Sequence, residues 1–309
     1  MSGSPEQDRG RIGQGAKNAE AEQGMAGKGT EGDADVAVPV PAMHGRESIG
    51  SVAVKAPTRG NRKLERFLEA VNRDEEVRSW WYMAQVHAGR LGMSDHSWVH
   101  MQIVLNIALR LTRLLDKGGV QGAMVTDHGM SERDVEVVVA GGALLHDVGM
   151  SIHRADHEEY SLFLAHSALS RLLEGIYSGA ERAIVTAEIL HAIIGHRRRG
   201  QPYTVEAGIV RVADALDMAE GRTRLPLEAG QEGIHSISAA AIDRVLISAG
   251  QERPVRLEIE LNNSAGIFQV DDLLATKIRD TPLADHIEVL AEVKGESEKR
   301  LLSGFRLGG

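Results

Sequence analysis

From Asn61 to about Glu220 the apolar residues recur at spacings of three and four, beginning with Leu64, Phe67, Leu68 and Val71. That spacing predicts amphipathic helices. Trp80, Trp81 and Tyr82 read as core aromatics that extend the first of them. Ser94 or Asp95 then offers an N-cap for a helix whose apolar face runs through Val104, Ile107, Leu111 and Leu114, with His100 on the same face. After a loop containing Gly118, Gly119 and Gly122, Ser131 and Asp134 have the spacing of a capping box. The following stretch, VEVVVAGGALLHDVGM, is apolar nearly all round, which predicts a buried central helix. Three more helices are expected near residues 157–176, 180–196 and 205–220. Past about residue 235 the period changes to two: Val255, Leu257, Ile259 and Leu261 alternate with Arg256, Glu258 and Glu260, the mark of a strand with one buried face. Ile242 to Ile247 and Ile287 to Val293 read as partner strands, with an amphipathic helix marked by Ile267, Val270, Leu274 and Ile278 between them. The order predicts a mainly α protein, in which a helical domain over residues 61–224 is followed by a small α+β domain over residues 235–309.

Residues 1–60 break this pattern. They contain no Phe, Trp or Tyr but hold 11 of the 34 glycines and 4 of the 8 prolines, too little apolar surface to offset the entropy of ordering. A disordered tail is therefore expected, dispensable for stability up to residue 58. The whole chain, 309 residues with 42% hydrophobic and 26% charged, has the composition of a globular protein. Its net charge of -9 argues against a broad grip on nucleic acid or on an anionic membrane. With no cysteine, no apolar run long enough for a membrane span and no apolar leader in the first thirty residues, the expected compartment is the cytoplasm.

Histidine is the one unusual count, with 13 in the chain and nine of them between His96 and His196. His146 and Asp147 directly follow the apolar run of the central helix. A carboxylate in such surroundings is costly unless it is paired or bound to a cation, and no lysine or arginine interrupts that run. His100 lies on the apolar face of another helix, and Asp214 sits in EAGIVRVADALDMAE with Asp217 three residues further on. Imidazole and carboxylate together suit a divalent transition metal, which makes a metal ion the economical partner for all four groups.

His100, the adjacent pair His146 and Asp147, and Asp214 resemble the H...HD...D motif of the HD-superfamily metal-dependent phosphohydrolases. The phrases HSWVHMQIVLNIA, ALLHDVGM and VRVADALD are similar to the three motif helices of that family, and the resemblance spans about residues 62–224. It implies an HD-type helical domain that hydrolyses a phosphoester in a small phosphorylated substrate, nucleotides included, by means of a metal-activated water. Dinuclear members carry further histidines: His157, opening HEEYSLFLA, looks like one ligand of a second metal, and His191 in EILHAIIGH is similar to the next, with His196 as its competitor. The implied cofactor is one or two divalent ions, Mn, Fe, Mg, Co or Zn, with Asp147 as bridge and as the group that orients the water. Asp217 or Glu158 is the expected proton acceptor. Phosphate contact falls to Arg154 and the run Arg197, Arg198 and Arg199, while His153 and His166 are expected at the surface and His96 outside the ligand set. Met150 stands where cyclic-dinucleotide phosphodiesterases of the superfamily carry lysine, and GHRRRGQPY replaces their Gly-Tyr-Pro motif. The added motifs of guanosine tetraphosphate hydrolases are missing as well, so neither substrate is implied. The rival readings are a dinuclear iron oxygenase on the same fold and a regulatory protein with a silent metal site. The C-terminal domain is expected to act as a structural module for homodimerisation.

Overall fold

The computed structural model describes residues 45–197, 200–218 and 241–294, so residues 1–44 of the expected tail lie outside the described residues. The helical part comprises α1 (Arg62–Arg73), α2 (Glu75–Arg90), α3 (Trp98–Lys117), the single turn α4 (Ala123–Thr126), α5 (Glu132–Leu145), α6 (His157–Leu172), α7 (Gly179–Gly195) and α8 (Val205–Leu216). As its pattern predicts, α5 is the centre of the core: Val135, Val137 to Ala140 and Ala143 to Leu145 are buried, and α3, α7 and α8 pack around it. The Ser131–Asp134 capping box starts this helix as the spacing predicts. No helix among the described residues is long and apolar enough to cross a membrane.

Three local features differ from the sequence expectation. The first helix is two helices, because Asp74 leaves the helical region (ψ 109°) and its side chain accepts the Val77 N–H at 3.0 Å, capping α2. Trp81 therefore belongs to α2, where it is fully buried and donates from Nε1 to the Leu144 carbonyl at 2.9 Å. The cap of α3 is Ser97 and not Ser94 or Asp95; Asp95 instead accepts from the Ser97 N–H and hydroxyl, both at 2.9 Å.

The third difference is a correction to the tail. Residues 45–60 are described, and the stretch from Val52 to Thr58 is tied down. Val52 and Val54 are buried in the core. Asn72 closes a two-way amide pair with the backbone of Val54, accepting its N–H at 2.8 Å and donating to its carbonyl at 2.9 Å. Gln102 pairs in the same way with Lys55. Arg113 donates to the Pro57 carbonyl at 2.6 Å. Composition cannot see these partners, since they come from α1 and α3.

The C-terminal part is a three-stranded sheet of order β1-β2-β3: β1 (Ile242–Ala249), β2 (Val255–Leu261) and β3 (Ile287–Val293). β1 runs antiparallel to β2, with Val245 opposite Ile259, and β3 runs parallel to β2, with Leu257 opposite Val289. A parallel pair needs a crossover. Here it is α9 (Gly266–Phe268), a π-helical stretch (Gln269–Ala275) and α10 (Thr276–Arg279). The residue steps of β2 alternate between buried and half-buried as predicted, and in the crossover Leu274 and Ile278 are buried whereas Ile267 is exposed.

Two outcomes follow for stability. Replacing Asn72 by Ala strands a buried N–H and carbonyl of Val54, so unfolding should become easier by about 2 kcal/mol. Calorimetry should then show a melting temperature several degrees lower, and a truncation that removes residues 52–58 should do the same. Gly149 packs so tightly that a Cβ there would lie 2.0 Å from the His157 carbonyl and 2.5 Å from the Ser161 nitrogen. Gly149→Ala must push α6 outward, with an expected loss of about 1–3 kcal/mol measurable by denaturant titration.

Candidate metal centre

His146 follows the last residue of α5, and His196 follows the last residue of α7. Each caps its own helix in the same manner, Nδ1 donating to the carbonyl three residues back: Ala143 at 2.9 Å for His146 and Ile193 at 2.5 Å for His196. Those carbonyls belong to the last turn, which has no partners within the helix. With Nδ1–H spent in this way, a neutral ring presents its Nε2 lone pair to the interior. His100, in the first turn of α3, is fixed likewise by Asp217, whose Oδ2 accepts from Nδ1 at 2.6 Å. An imidazole anchored through one nitrogen is ready to give the other to a metal.

All of these rings face Asp147. It is 3% exposed and sits between α5 and the 3-10 turn Val148–Ser151. Its Oδ2 lies 2.8 Å from His96 Nδ1, 3.7 Å from His100 Nε2 and 3.6 Å from His146 Nε2. Its Oδ1 lies 3.0 Å from His157 Nε2 and 3.5 Å from His196 Nε2. Asp214, in the last turns of α8, brings Oδ1 to 3.5 Å from His100 Nε2 and 3.8 Å from His146 Nε2, while its Oδ2 accepts from Lys277 at 2.6 Å. His100, His146, Asp147 and Asp214, expected together from the sequence, are thus brought together.

Electrostatics fit the same centre. Burial would raise the Asp147 carboxyl, but the His146 imidazole and the hydrogen bonds of His157, His196 and His96 hold it well below the usual carboxylate range. Burial pushes His146 down to about 3, so this ring is neutral. Burial pulls His157 down too, yet Asp147 and Glu158 outweigh it and push the ring up to about 10. Glu158 is the counterpart: burial raises it, and His157 lowers it further, to about 2.

The donor set passes a direct test for a metal. His100 Nε2 and His146 Nε2 are 3.2 Å apart. Each ring is anchored through Nδ1, so the two Nε2 atoms face one another across a gap that a shared cation would fill. Two donors at about 2.1 Å from an ion and about 90–110° apart are separated by about 3.0–3.4 Å. The observed separations of 3.2–3.8 Å are of that size. The C-terminal ends of α5, α7 and α8, which carry partial negative charge, meet here as well and favour a cation.

Other residues singled out in the sequence stand differently. His191 does not join the cluster: it is five residues before His196, about 140° away around α7. Its Nε2 accepts from the Tyr203 N–H at 3.0 Å, and its ring stacks on that of Tyr203 at 4.9 Å. His196 takes the place left open between the two. Asp217 and Glu158, expected as proton acceptors, stand behind His100 and His157 and hold those rings, Glu158 Oε2 being 3.0 Å from His157 Nδ1. Arg154 lies against the His157 ring, its Nη1 2.9 Å from Nδ1. Arg197 pairs with Glu159 at 2.9 Å, and Arg198 and Arg199 lie outside the described residues. His153 is exposed, as expected.

His96 was expected outside the ligand set and is inside the cluster. It does not come from the helix face of His100 but from the loop before the Ser97 cap, which turns it back onto Asp147. The four-residue spacing to His100 was the available signal. His96, His100 and Asp147 form one group of adjacent donors, His146, Asp147 and His196 another, and His157, Glu158 and His196 a third.

The sequence model of the HD domain matches residues 94–219. The chain is also 38% identical over 225 residues to an uncharacterised protein, MJ1020, of Methanocaldococcus jannaschii; the shared region covers 72% of this chain and 87% of that protein. No solved structure matches the chain. Together, the matched domain and the buried His/Asp cluster identify a divalent-metal site. Residues 94–219 carry every helix end that meets at Asp147, and with this match and this relative the chain belongs to the HD-domain family.

Proposed function

We propose that the protein is a metal-dependent phosphohydrolase acting on a small phosphorylated substrate, with two divalent ions sharing Asp147. The observation that carries this reading is the division of labour at that carboxylate: one oxygen faces His96, His100 and His146, the other faces His157 and His196. His100, His146, Asp147 and Asp214 would hold the first ion, and Asp147, His157 and His196 the second. Bound there, divalent ions polarise a phosphoryl oxygen and lower the pKa of a water, so that hydrolysis requires no serine or cysteine nucleophile.

The chain's own residues supply position. Asp147 fixes the spacing of the two ligand groups because it belongs to both. Asp217 keeps the His100 ring turned inward through the 2.6 Å bond to Nδ1, and Glu158 does the same for His157. Arg154, against the His157 ring, is the arginine poised to reach a phosphate oxygen, since the other described candidate, Arg197, is engaged with Glu159. The burial of His100, His146 and Asp147 keeps bulk water from the ligands, which strengthens each of these interactions.

The direct test screens phosphomonoesters, nucleotides and cyclic nucleotides with Mn, Mg, Fe and Co, alongside metal analysis of the purified protein. Release of phosphate or of a cleaved phosphodiester is the expected result; iron with a product that depends on dioxygen would establish the oxygenase reading instead. For the two ions, His157→Ala or His196→Ala should lower the stoichiometry from about two to about one and sharply reduce turnover. His191→Ala and His153→Ala should leave the metal content as it is. Asp217→Asn should weaken metal binding about 10- to 100-fold through the misdirected His100 ring, read by chelator competition.

A further inference from the structure

Among the described residues, the metal centre also meets a side chain from outside the HD segment. Lys277, on α10, places its ammonium 2.6 Å from Asp214 Oδ2, the oxygen on the far side of that carboxylate from His100 and His146. Its side chain is 22% exposed, so the ammonium stands at the rim and not in the packed interior.

The placement is built, not incidental. Along one side of α8, at steps of three, Gly208, Arg211 and Asp214 each meet the C-terminal segment. A Cβ on Gly208 would lie 3.2 Å from Leu283 and 3.3 Å from Thr281, so the missing side chain is what lets that segment close on the helix. Arg211 faces Asp280 at 3.8 Å, and Asp214 holds Lys277. The two stretches run in opposite directions, and the buried Leu274 and Ile278 flank Lys277 on either side in the chain.

A cation in this position is hard to explain by the metal site alone. Asp214 already faces the first ion through its other oxygen, and an ammonium beside a dication is repelled by it. The arrangement becomes favourable when an anion is added: a phosphoryl group held at the ions would lie within reach of a lysine that needs only to turn from Asp214. Lysine binds phosphate as a mobile point charge, which suits such a turn. We infer that Lys277 is a substrate ligand of the HD site, binding a phosphate oxygen, and that the C-terminal α+β domain thereby completes the site. This rests on the phosphohydrolase reading and adds to it a phosphate-binding residue that no HD motif contains.

The test uses the full chain loaded with Mn, with inorganic phosphate as the probe, in titration calorimetry. Lys277→Met keeps the apolar stem and removes the charge; phosphate affinity should fall about 10- to 100-fold, the loss expected for one charge-assisted hydrogen bond. Metal stoichiometry and melting temperature should stay at their wild-type values, and Lys277→Arg, which retains a cation, should recover most of the affinity. Equal phosphate affinity in the wild type and in Lys277→Met would overturn the inference while leaving the phosphohydrolase reading intact. Loss of metal in Lys277→Met would also overturn it, by making the lysine a support for Asp214. Failure of the metal-loaded wild type to bind phosphate would instead sink the phosphohydrolase reading on which it rests. If Lys277→Met does not fold, Lys277→Gln decides in its place: a phosphate affinity about 10- to 100-fold below that of the wild type at unchanged metal content supports direct contact, and an unaltered affinity refutes it.

Discussion

A carboxylate in the middle of a helical core is the constraint from which the rest of this structure can be reasoned. Burying an ion such as Asp147 costs several kcal/mol, and the cost is met only if its oxygens are surrounded by positive charge or donors. The chain brings imidazoles to it from the start of α3, the end of α5, the start of α6 and the end of α7, so each of these helices has to begin or stop at the same place. That requirement explains the tight packing at Gly149, where the turn after α5 touches the backbone of His157 and Ser161. Moving the first turn of α6 by the width of a methyl group would move His157 away from Asp147. The positive φ of Asp156, 59°, is part of the same device, since it lets the chain reverse immediately before that helix.

The capping chemistry and the metal chemistry use the same atoms. A helix C-terminus leaves carbonyls without partners, and at α5 and α7 the residue that satisfies one is the histidine that turns its other nitrogen inward. Local stability and ligand orientation are therefore coupled at His146 and His196: a ring that rotates to abandon the cluster also strands a carbonyl. At the two histidines near helix N-termini carboxylates take part: Asp217 accepts from His100 Nδ1, and His157 Nδ1 lies 3.0 Å from Glu158 Oε2 and 3.1 Å from the Arg154 carbonyl. The two modes turn Nε2 of all four rings toward Asp147, as common ligation of cations requires.

How much of this could be read in the sequence depended on whether the signal was local. The buried α5, the alternation of β2 and the group of His100, His146, Asp147 and Asp214 were legible because periodicity and motif spacing record them directly. The break at Asp74 was not, since apolar spacing continues on both sides of it and only the cap geometry separates the helices. Val52 and Val54 were hidden in a stretch poor in apolar residues because their ordering comes from Asn72 and Gln102, distant in sequence. His191 and His196 were indistinguishable by motif; the angle between them around α7 decides, and it depends on where that helix ends. His96 carries only its four-residue spacing to His100 as a signal, and the loop that turns it onto Asp147 has no periodicity to record the turn.

Lys277 and Arg211 mark the least legible part, contacts between an α-helical motif and a segment that shares no motif with it. Arg211 is fully buried, and its Nη1 lies 3.2, 2.7 and 2.6 Å from the carbonyls of Gly195, Arg197 and Gly200, closing the chain that follows His196. The same guanidinium faces Asp280, three residues beyond Lys277. The C-terminal segment thus bears on the loop after His196 through Arg211 and on Asp214 through Lys277, with one turn of α8 between them. The segment between β2 and β3 thus packs on α8 beside the metal centre through Lys277, Asp280, Thr281 and Leu283, a contact that neither domain's sequence pattern reveals alone.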